Sequence, residues 1–190
     1  MSTIYKIQVV VGSARANRIG RSVAEWVRQQ IPASLNLETE LVDLADWHLP
    51  LSDEPNIPAT GDYTQAHTKA WSRKVAAADG FVFVTPQYNW GYPASLKNAL
   101  DHLYKEWTLK PAIIVSYGYH GGDKAAAQLL QVLNGIRMRP ATTMPQITLT
   151  KESHGEDGQI RDLPAAFAPF AESISKAAAE LSALLQTPKT

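Results

Sequence analysis

Apolar residues recur along this chain in two alternating rhythms, one of strands and one of helices. Ile4 to Val11 is an apolar, β-branched run that stops at Gly12-Ser13 and predicts a buried first strand. Ile19, Val23, Trp26, Val27 and Ile31 follow at helical spacing, and Pro32 ends the helix they predict. Leu37 to Leu44 alternates apolar with polar and gives a second strand. Trp47 to Asp62 contains Pro50, Pro55, Pro58 and Gly61, a long loop of the kind that carries a task in a compact domain. Tyr63 to Ala78 predicts a helix leading into the strand Gly80 to Thr85. A proline- and aromatic-rich stretch then opens a helix marked by Leu96, Leu100, Leu103 and Tyr104.

Pro111 to Tyr117 is the next apolar strand, followed by a glycine-rich turn and a helix with Ala125, Leu129, Val132, Leu133 and Ile136 in register. Met144 to Thr150 predicts a final strand, its start blurred by Arg139-Pro140. Lys151 to Asp162 is polar and turn-rich, and the last helix carries Phe167, Phe170, Ile174, Ala178, Leu181 and Leu185. Strand and helix thus alternate five times, which predicts an α/β fold: a five-stranded parallel sheet with helices on both faces. With no internal repeat or low-complexity tract, residues 1–190 read as a single domain, 187–190 forming a disordered tail.

Composition narrows the classes. Of 190 residues, 45% are hydrophobic and 19% charged, a globular balance. Lys+Arg and Asp+Glu both number 18, so the charge footprint of a nucleic-acid or membrane-surface binder is missing. The chain has no cysteine, which excludes disulfides, thiolate metal sites and cysteine nucleophiles, and no metal site is expected. The first residues carry no signal-peptide pattern, and no apolar run approaches the roughly 18–20 residues of a membrane span. A cytoplasmic location is the expectation.

Three segments at the carboxyl ends of strands carry the candidate chemistry. Gly12 to Ser22 joins the first strand to the first helix, and backbone N–H groups at a helix start favour an anion. Ser13, Asn17 and Ser22 add neutral donors; Arg15, Arg18 and Arg21 add charged ones. Neither a nucleotide P-loop nor a G-x-G-x-x-G fingerprint is present, so one terminal phosphate fits better than a pyrophosphate. In the second segment, Pro86 and Pro93 stiffen a loop that holds Gln87, Tyr88, Asn89, Trp90, Gly91 and Tyr92. Its aromatics suit either a flat, partly apolar ligand or a subunit interface, and the two readings are compatible. Lys97, Asn98 and Asp101 read as ordinary helix-surface or intersubunit groups. The third segment, Ser116 to Gly122, offers glycine-exposed N–H groups for a ring carbonyl or anion. His120 is a candidate general acid there, although a lone histidine more often lines a pocket.

Strand order 2-1-3-4-5 places strands one, three and four side by side. The three loops then meet at the switch point where flavodoxin-type folds hold FMN.

On the residues Gly12-Ser13-Ala14-Arg15, Pro86 to Asn89, Pro93 to Asp101 and Ser116 to Gly122, the chain resembles the NADPH-dependent FMN reductase family. These are flavodoxin-like proteins that include quinone and azo-dye reductases. The resemblance implies that Ser13, Arg15 and the segment Asn17, Arg18, Ile19, Gly20, Arg21 to Ser22 hold the FMN phosphate. It implies that Pro86, Gln87, Tyr88 and Asn89 line the isoalloxazine, with Trp90 beside them, and that Ser116, Tyr117, Gly118 and Gly121 approach from the next loop. It also implies a homodimer or homotetramer. Gln87 stands where many relatives carry Glu, and Trp90-Gly91-Tyr92 is bulkier than usual there. The expected activity is hydride transfer from NADPH (or NADH), through FMN, to a quinone, flavin or azo acceptor, with no protein acid or base required. The alternative is a flavodoxin-like electron carrier or redox-sensing interaction protein, against which the zero net charge argues.

Overall fold

The structure is a computed structural model, and it describes residues 3–187. Four long strands make up most of the sheet: β1 (Tyr5–Val11), β2 (Leu37–Asp43), β3 (Gly80–Pro86) and β4 (Pro111–Gly118). Two short ones follow, β5 (Arg139–Pro140) and β6 (Gln146–Thr148). The helices are α1 (Gly20–Gln29), α2 (Ala66–Ala76), α3 (Ala94–Asp101), α4 (Asp123–Gly135), α5 (Leu163–Phe167) and α6 (Ala171–Gln186). The order is β2-β1-β3-β4-β5 with all neighbours parallel, as the strand–helix alternation predicts for a flavodoxin-like sheet.

The fifth strand departs from expectation. It comes as two pieces on one edge: β5 pairs with the start of β4 and β6 with its end. Pro140 and Pro145 cannot donate to the ladder. Between them, the Thr143 N–H turns away to the Glu180 carboxylate of α6, at 2.8 Å. Of the expected tail, 188–190 lie outside the described residues, while the Thr187 hydroxyl donates to the Leu184 carbonyl.

Side-chain alternation along the strands feeds two apolar layers. Val9, Val11, Val82, Val84, Ile113 and Val115 face α1, α5 and α6, with Trp26 and Phe167 packed edge to face. Val10, Phe81, Phe83, Ala112 and Ile114 face α2, α3 and α4 around Trp71 and Trp107. Both indoles are fully buried, and each donates to a carbonyl of α3, Trp71 to Ala99 and Trp107 to Leu100. A buried indole N–H needs such a partner. These bonds fix α3, and through it the loop after β3, against the sheet. The strands therefore end together at one rim, where the loops after β1, β3 and β4 lie side by side.

Candidate functional site

The first loop is anchored from both sides. The Gly12 N–H donates to Val84 O at 2.9 Å, and the Ser95 hydroxyl of α3 donates to Gly12 O at 2.7 Å. Beyond it, α1 begins at Gly20 with no side-chain cap and no acidic residue in its first turn. The leading N–H groups of a helix have no partner inside it, so this start is a donor cluster with the positive end of the helix dipole behind it. Gly20 is needed there for space: a Cβ would lie 2.7 Å from the Tyr117 hydroxyl and 3.0 Å from Ser13 Cβ.

The second loop reaches into this corner. The hydroxyls of Ser13 and Tyr88 are 2.6 Å apart, and the Arg15 guanidinium stacks 3.6 Å above the Tyr88 ring. Tyr117, from the end of β4, points its hydroxyl at Ser13 and Gly20. Its burial pushes its pKa up, reinforced by Tyr88 and opposed by the bond to Ser13, so it is a neutral hydroxyl at physiological pH. Ser13, Arg15, Tyr88 and Tyr117 are thereby brought together from three strand ends. This corner has the donors and the charge to hold a phosphate-sized anion.

The third loop is tied to the second through Gln87. Its Oε1 accepts from the N–H groups of Lys124 at 3.0 Å and Ala125 at 3.2 Å. An acceptor from the loop after β3 thus caps α4, whose own N-cap residue, Gly122, has φ +79° and no side chain. A Cβ at Gly122 would stand 2.9 Å from Ser116 Cβ, so the turn closes tightly on the strand. Ser116 is fully buried and donates to Gly121 O at 2.7 Å.

Several side chains expected to meet a ligand have other duties. Arg18 donates to Asp43 at 2.8 Å, and Arg21 lies 3.4 Å from Asp43 and 3.7 Å from Asp46. Asp43 is 2% exposed at the end of β2, and a buried carboxylate demands such countercharge. Arg21 still offers its backbone N–H to the α1 donor cluster. Ile19 is buried in the core, Ser116 shapes the glycine turn, and Gln87 caps α4 rather than presenting its oxygen to the crevice. Asn17 and His120 are exposed, and Gly118 lies half-buried where a Cβ would meet nothing closer than 3.7 Å. Asn98, read as a surface group, is half-buried and donates to Leu49 O at 2.8 Å, tying α3 to the loop after β2.

Trp90 and Tyr92 separate cleanly. Tyr88 and Gly91 exchange both backbone hydrogen bonds, at 2.8 and 3.0 Å, around Asn89 and Trp90 with φ of 46° and 76°. That is a two-residue turn with both central residues left-handed, a position that favours Asn and then Gly. Trp90 stands at the tip, 64% exposed, with Lys124 Nζ 5.8 Å from its ring. Tyr92 instead packs down on the α2–α4 layer, its hydroxyl pushed up to about 12 by burial and by the charge of Asp101. A cavity of about 230 Å³, lined by Ala14, Leu44, Ala45, Trp47, Leu49, Ser95 and Asn98, adjoins the first loop.

The model of the family described as NADPH-dependent FMN reductase matches residues 5–152, which span all three loops. The chain belongs to that family. Among this reductase family's members, an NAD(P)H-dependent FMN reductase of Schizosaccharomyces pombe is 49% identical over 96% of this chain and 91% of its own length. A quinone reductase of Pseudomonas putida is 35% identical over 78% of this chain and 80% of its own. FerB, a flavoenzyme NAD(P)H:(acceptor) oxidoreductase of Paracoccus denitrificans, shares the fold with a TM-score of 0.66 at 22% identity. That match covers 93% of this chain and 98% of the other.

The reductase family's sequence pattern left parts of this corner unannounced. Asp43 closes the alternating strand β2, and an acid at a strand's carboxyl end was its one available signal. Ser95 and Asn98 act by reaching other loops, which no local pattern reveals. The fold also brings Asp53, His67 and His102 together, with one ligand atom from each lying within 4.8 Å of the others.

Proposed function

We propose that the protein is an FMN-dependent NAD(P)H oxidoreductase that reduces a quinone, a flavin or an azo compound. The observation that carries this reading is the convergence of Ser13, Arg15 and Tyr88 on an uncapped helix start, in a chain of this family. FMN held by these residues would supply the two-electron redox chemistry between NAD(P)H and the acceptor, with the balancing proton taken from solvent.

The residues present fit such a group. The N–H groups that open α1, with Ser13 and Arg15, are chemically matched to a phosphate dianion. Arg15 is the arginine of the turn without a carboxylate partner among the described residues; Arg18 is paired with Asp43, and Arg21 with Asp43 and Asp46. Tyr88, Asn89 and Pro86 would flank the ring, and the open side of Gly118 leaves room for it. Gln87 keeps the glycine turn in place by capping α4, and Trp90 is set to border the acceptor side. No residue need donate or remove a proton at carbon, and His120 is assigned no role.

The reading includes residues 1–190 as one domain, assembled as a homodimer or homotetramer and located in the cytoplasm. In support, no helix among the described residues is long and apolar enough to cross a membrane. The test is direct. Purified protein mixed with FMN should turn yellow, bleach anaerobically with NADPH or NADH, and regain colour with a quinone. A protein that stays colourless in excess FMN overturns the proposal; one that binds FMN but is not reduced by either nicotinamide is an electron carrier or sensor.

A further inference from the structure

Further along α3 from the first loop, the segment after β2 folds over a cavity of about 250 Å³. Asp53, on that segment, meets His67 of the first turn of α2 and His102 at the end of α3. We propose that these three side chains form a binding site for a divalent transition cation of the zinc type.

Three observations carry it. His102 is only 6% exposed, its Nδ1 lies 2.8 Å from the carbonyl of Asn98, and its Nε2 is buried without a hydrogen-bond partner. A carbonyl accepts only, so Nδ1 bears the proton and Nε2 presents a lone pair. This is the second-sphere arrangement that holds metal-ligating histidines, one ring nitrogen donating to a fixed acceptor and the other left to the metal. Leaving such a nitrogen unpaired is costly in a protein interior, and a cation removes the cost.

Second, His67 Nε2 and Asp53 Oδ1 are already 3.0 Å apart. Ligands held at about 2.0–2.1 Å by a tetrahedral ion stand about 3.3 Å from one another. Closing the set from its present 4.8 Å limit takes at most about 1.5 Å of side-chain movement. Asp53 and His67, both part-exposed, are free to make that movement.

Third, the backbone next to Asp53 is fixed where the site needs it. Glu54 accepts from the N–H groups of Thr64 and Gln65, at 2.8 and 2.9 Å, which pins the segment to the start of α2. Two imidazoles and one carboxylate match a zinc set with one position left for water, whereas magnesium and calcium prefer oxygen alone. On binding, the His67 imidazole carries its proton on Nδ1, so that Nε2 of His67 and Nε2 of His102 each present a lone pair beside the Asp53 carboxylate. The ion would clamp the segment after β2 onto α2 and α3. Asn98 lines this cavity and the one beside the first loop, so the clamp adjoins the candidate active site.

The proposal stands apart from the flavin reading, and its test reads metal directly. Full-length protein is stripped with a chelator, dialysed, and titrated calorimetrically with zinc chloride; cobalt(II) absorption reports the geometry. The wild type should show one saturable site, with the intense visible bands of four-coordinate cobalt. His67→Ala and Asp53→Asn, both at the surface and expected to fold, should each weaken zinc at least about tenfold. His154→Ala, remote from the cluster, should leave the affinity unchanged. Absence of saturable zinc binding in the wild type, or wild-type affinity in both cluster variants, overturns the proposal.

Discussion

The hydroxyls of Ser13 and Tyr88 lie 2.6 Å apart across 75 residues of sequence, joining the loop after β1 to the loop after β3. Ser13 is fully buried, so this bond satisfies a hydroxyl that has no access to water. Arg15 closes over the same tyrosine, and a cation on an aromatic face at an exposed site contributes about 0.5–1 kcal/mol. One residue thus orders both the neutral and the charged donor of the turn.

Tyr88→Phe keeps the ring and the arginine stack but deletes the hydroxyl. It should cost about 1 kcal/mol of stability in urea denaturation. FMN affinity, followed by flavin fluorescence, should fall about fivefold as the turn loosens. Unchanged values in both would show that the pair does not organise the turn.

The three arginines of the first loop should behave differently. Arg15→Ala should weaken FMN about tenfold or more, with a flatter salt dependence, and cost only the stack on Tyr88, about 0.5–1 kcal/mol of stability. Arg18→Ala should instead strand Asp43 with only the more distant Arg21, costing about 2 kcal/mol of stability. Arg21→Ala, at an exposed position, should change stability by less than about 0.5 kcal/mol. Denaturation and FMN titration of the three variants separate these roles.

What the sequence revealed here follows the reach of each interaction. Periodic apolar runs gave the four long strands and the two-faced sheet, because burial of one strand or one helix stripe is a local pattern. The partition of Arg15, Arg18 and Arg21 was hidden, because it depends on Asp43 arriving from β2. Gln87 read as a ring-facing residue for the same reason: its partners, Lys124 and Ala125, belong to another loop. The split of the last strand could be anticipated from Pro140 and Pro145, but the pairing of Thr143 with Glu180 could not. Asp53, His67 and His102 have no shared motif; the packing of α2 beside α3 brings the two histidines together, and the segment after β2 brings Asp53 to them.

Gln87→Ala should leave the first N–H groups of α4 uncapped and lower stability by about 1 kcal/mol. Gln87→Glu should keep the acceptor and place a negative charge at the helix start, adding about 0.3–1 kcal/mol. Thermal midpoints of the two variants should therefore move in opposite directions. A shared direction would mean that the side-chain amide N–H, not Oε1, is what matters.

Glu54 predicts an acid-side weakness. Burial pushes its carboxyl up, but hydrogen bonds from the Thr64 and Gln65 backbone and the Thr64 hydroxyl outweigh it and hold the pKa at about 2. A folded pKa below the unfolded 4.5 gives stability that is present above about pH 4.5 and lost as pH falls toward 2. The urea midpoint of the wild type should decline through that window, and Glu54→Gln, lower at neutral pH, should decline less. Parallel pH profiles would remove Glu54 from the account.

Trp90 combines a left-handed backbone with an exposed indole, two costs at one position. A residue with a Cβ pays about 1–2 kcal/mol in that conformation, and glycine does not. Trp90→Gly also adds freedom to the unfolded chain, an offset of about 0.4–1 kcal/mol. The net expectation is a gain of about 0.5–1 kcal/mol, or about 2 °C in Tm for a chain of this size. If the indole borders the acceptor, KM for a quinone should rise several-fold while FMN affinity holds, because Tyr88 and Arg15 are untouched. A more stable variant with unaltered quinone kinetics would remove the ring from the acceptor side and leave it to subunit contact.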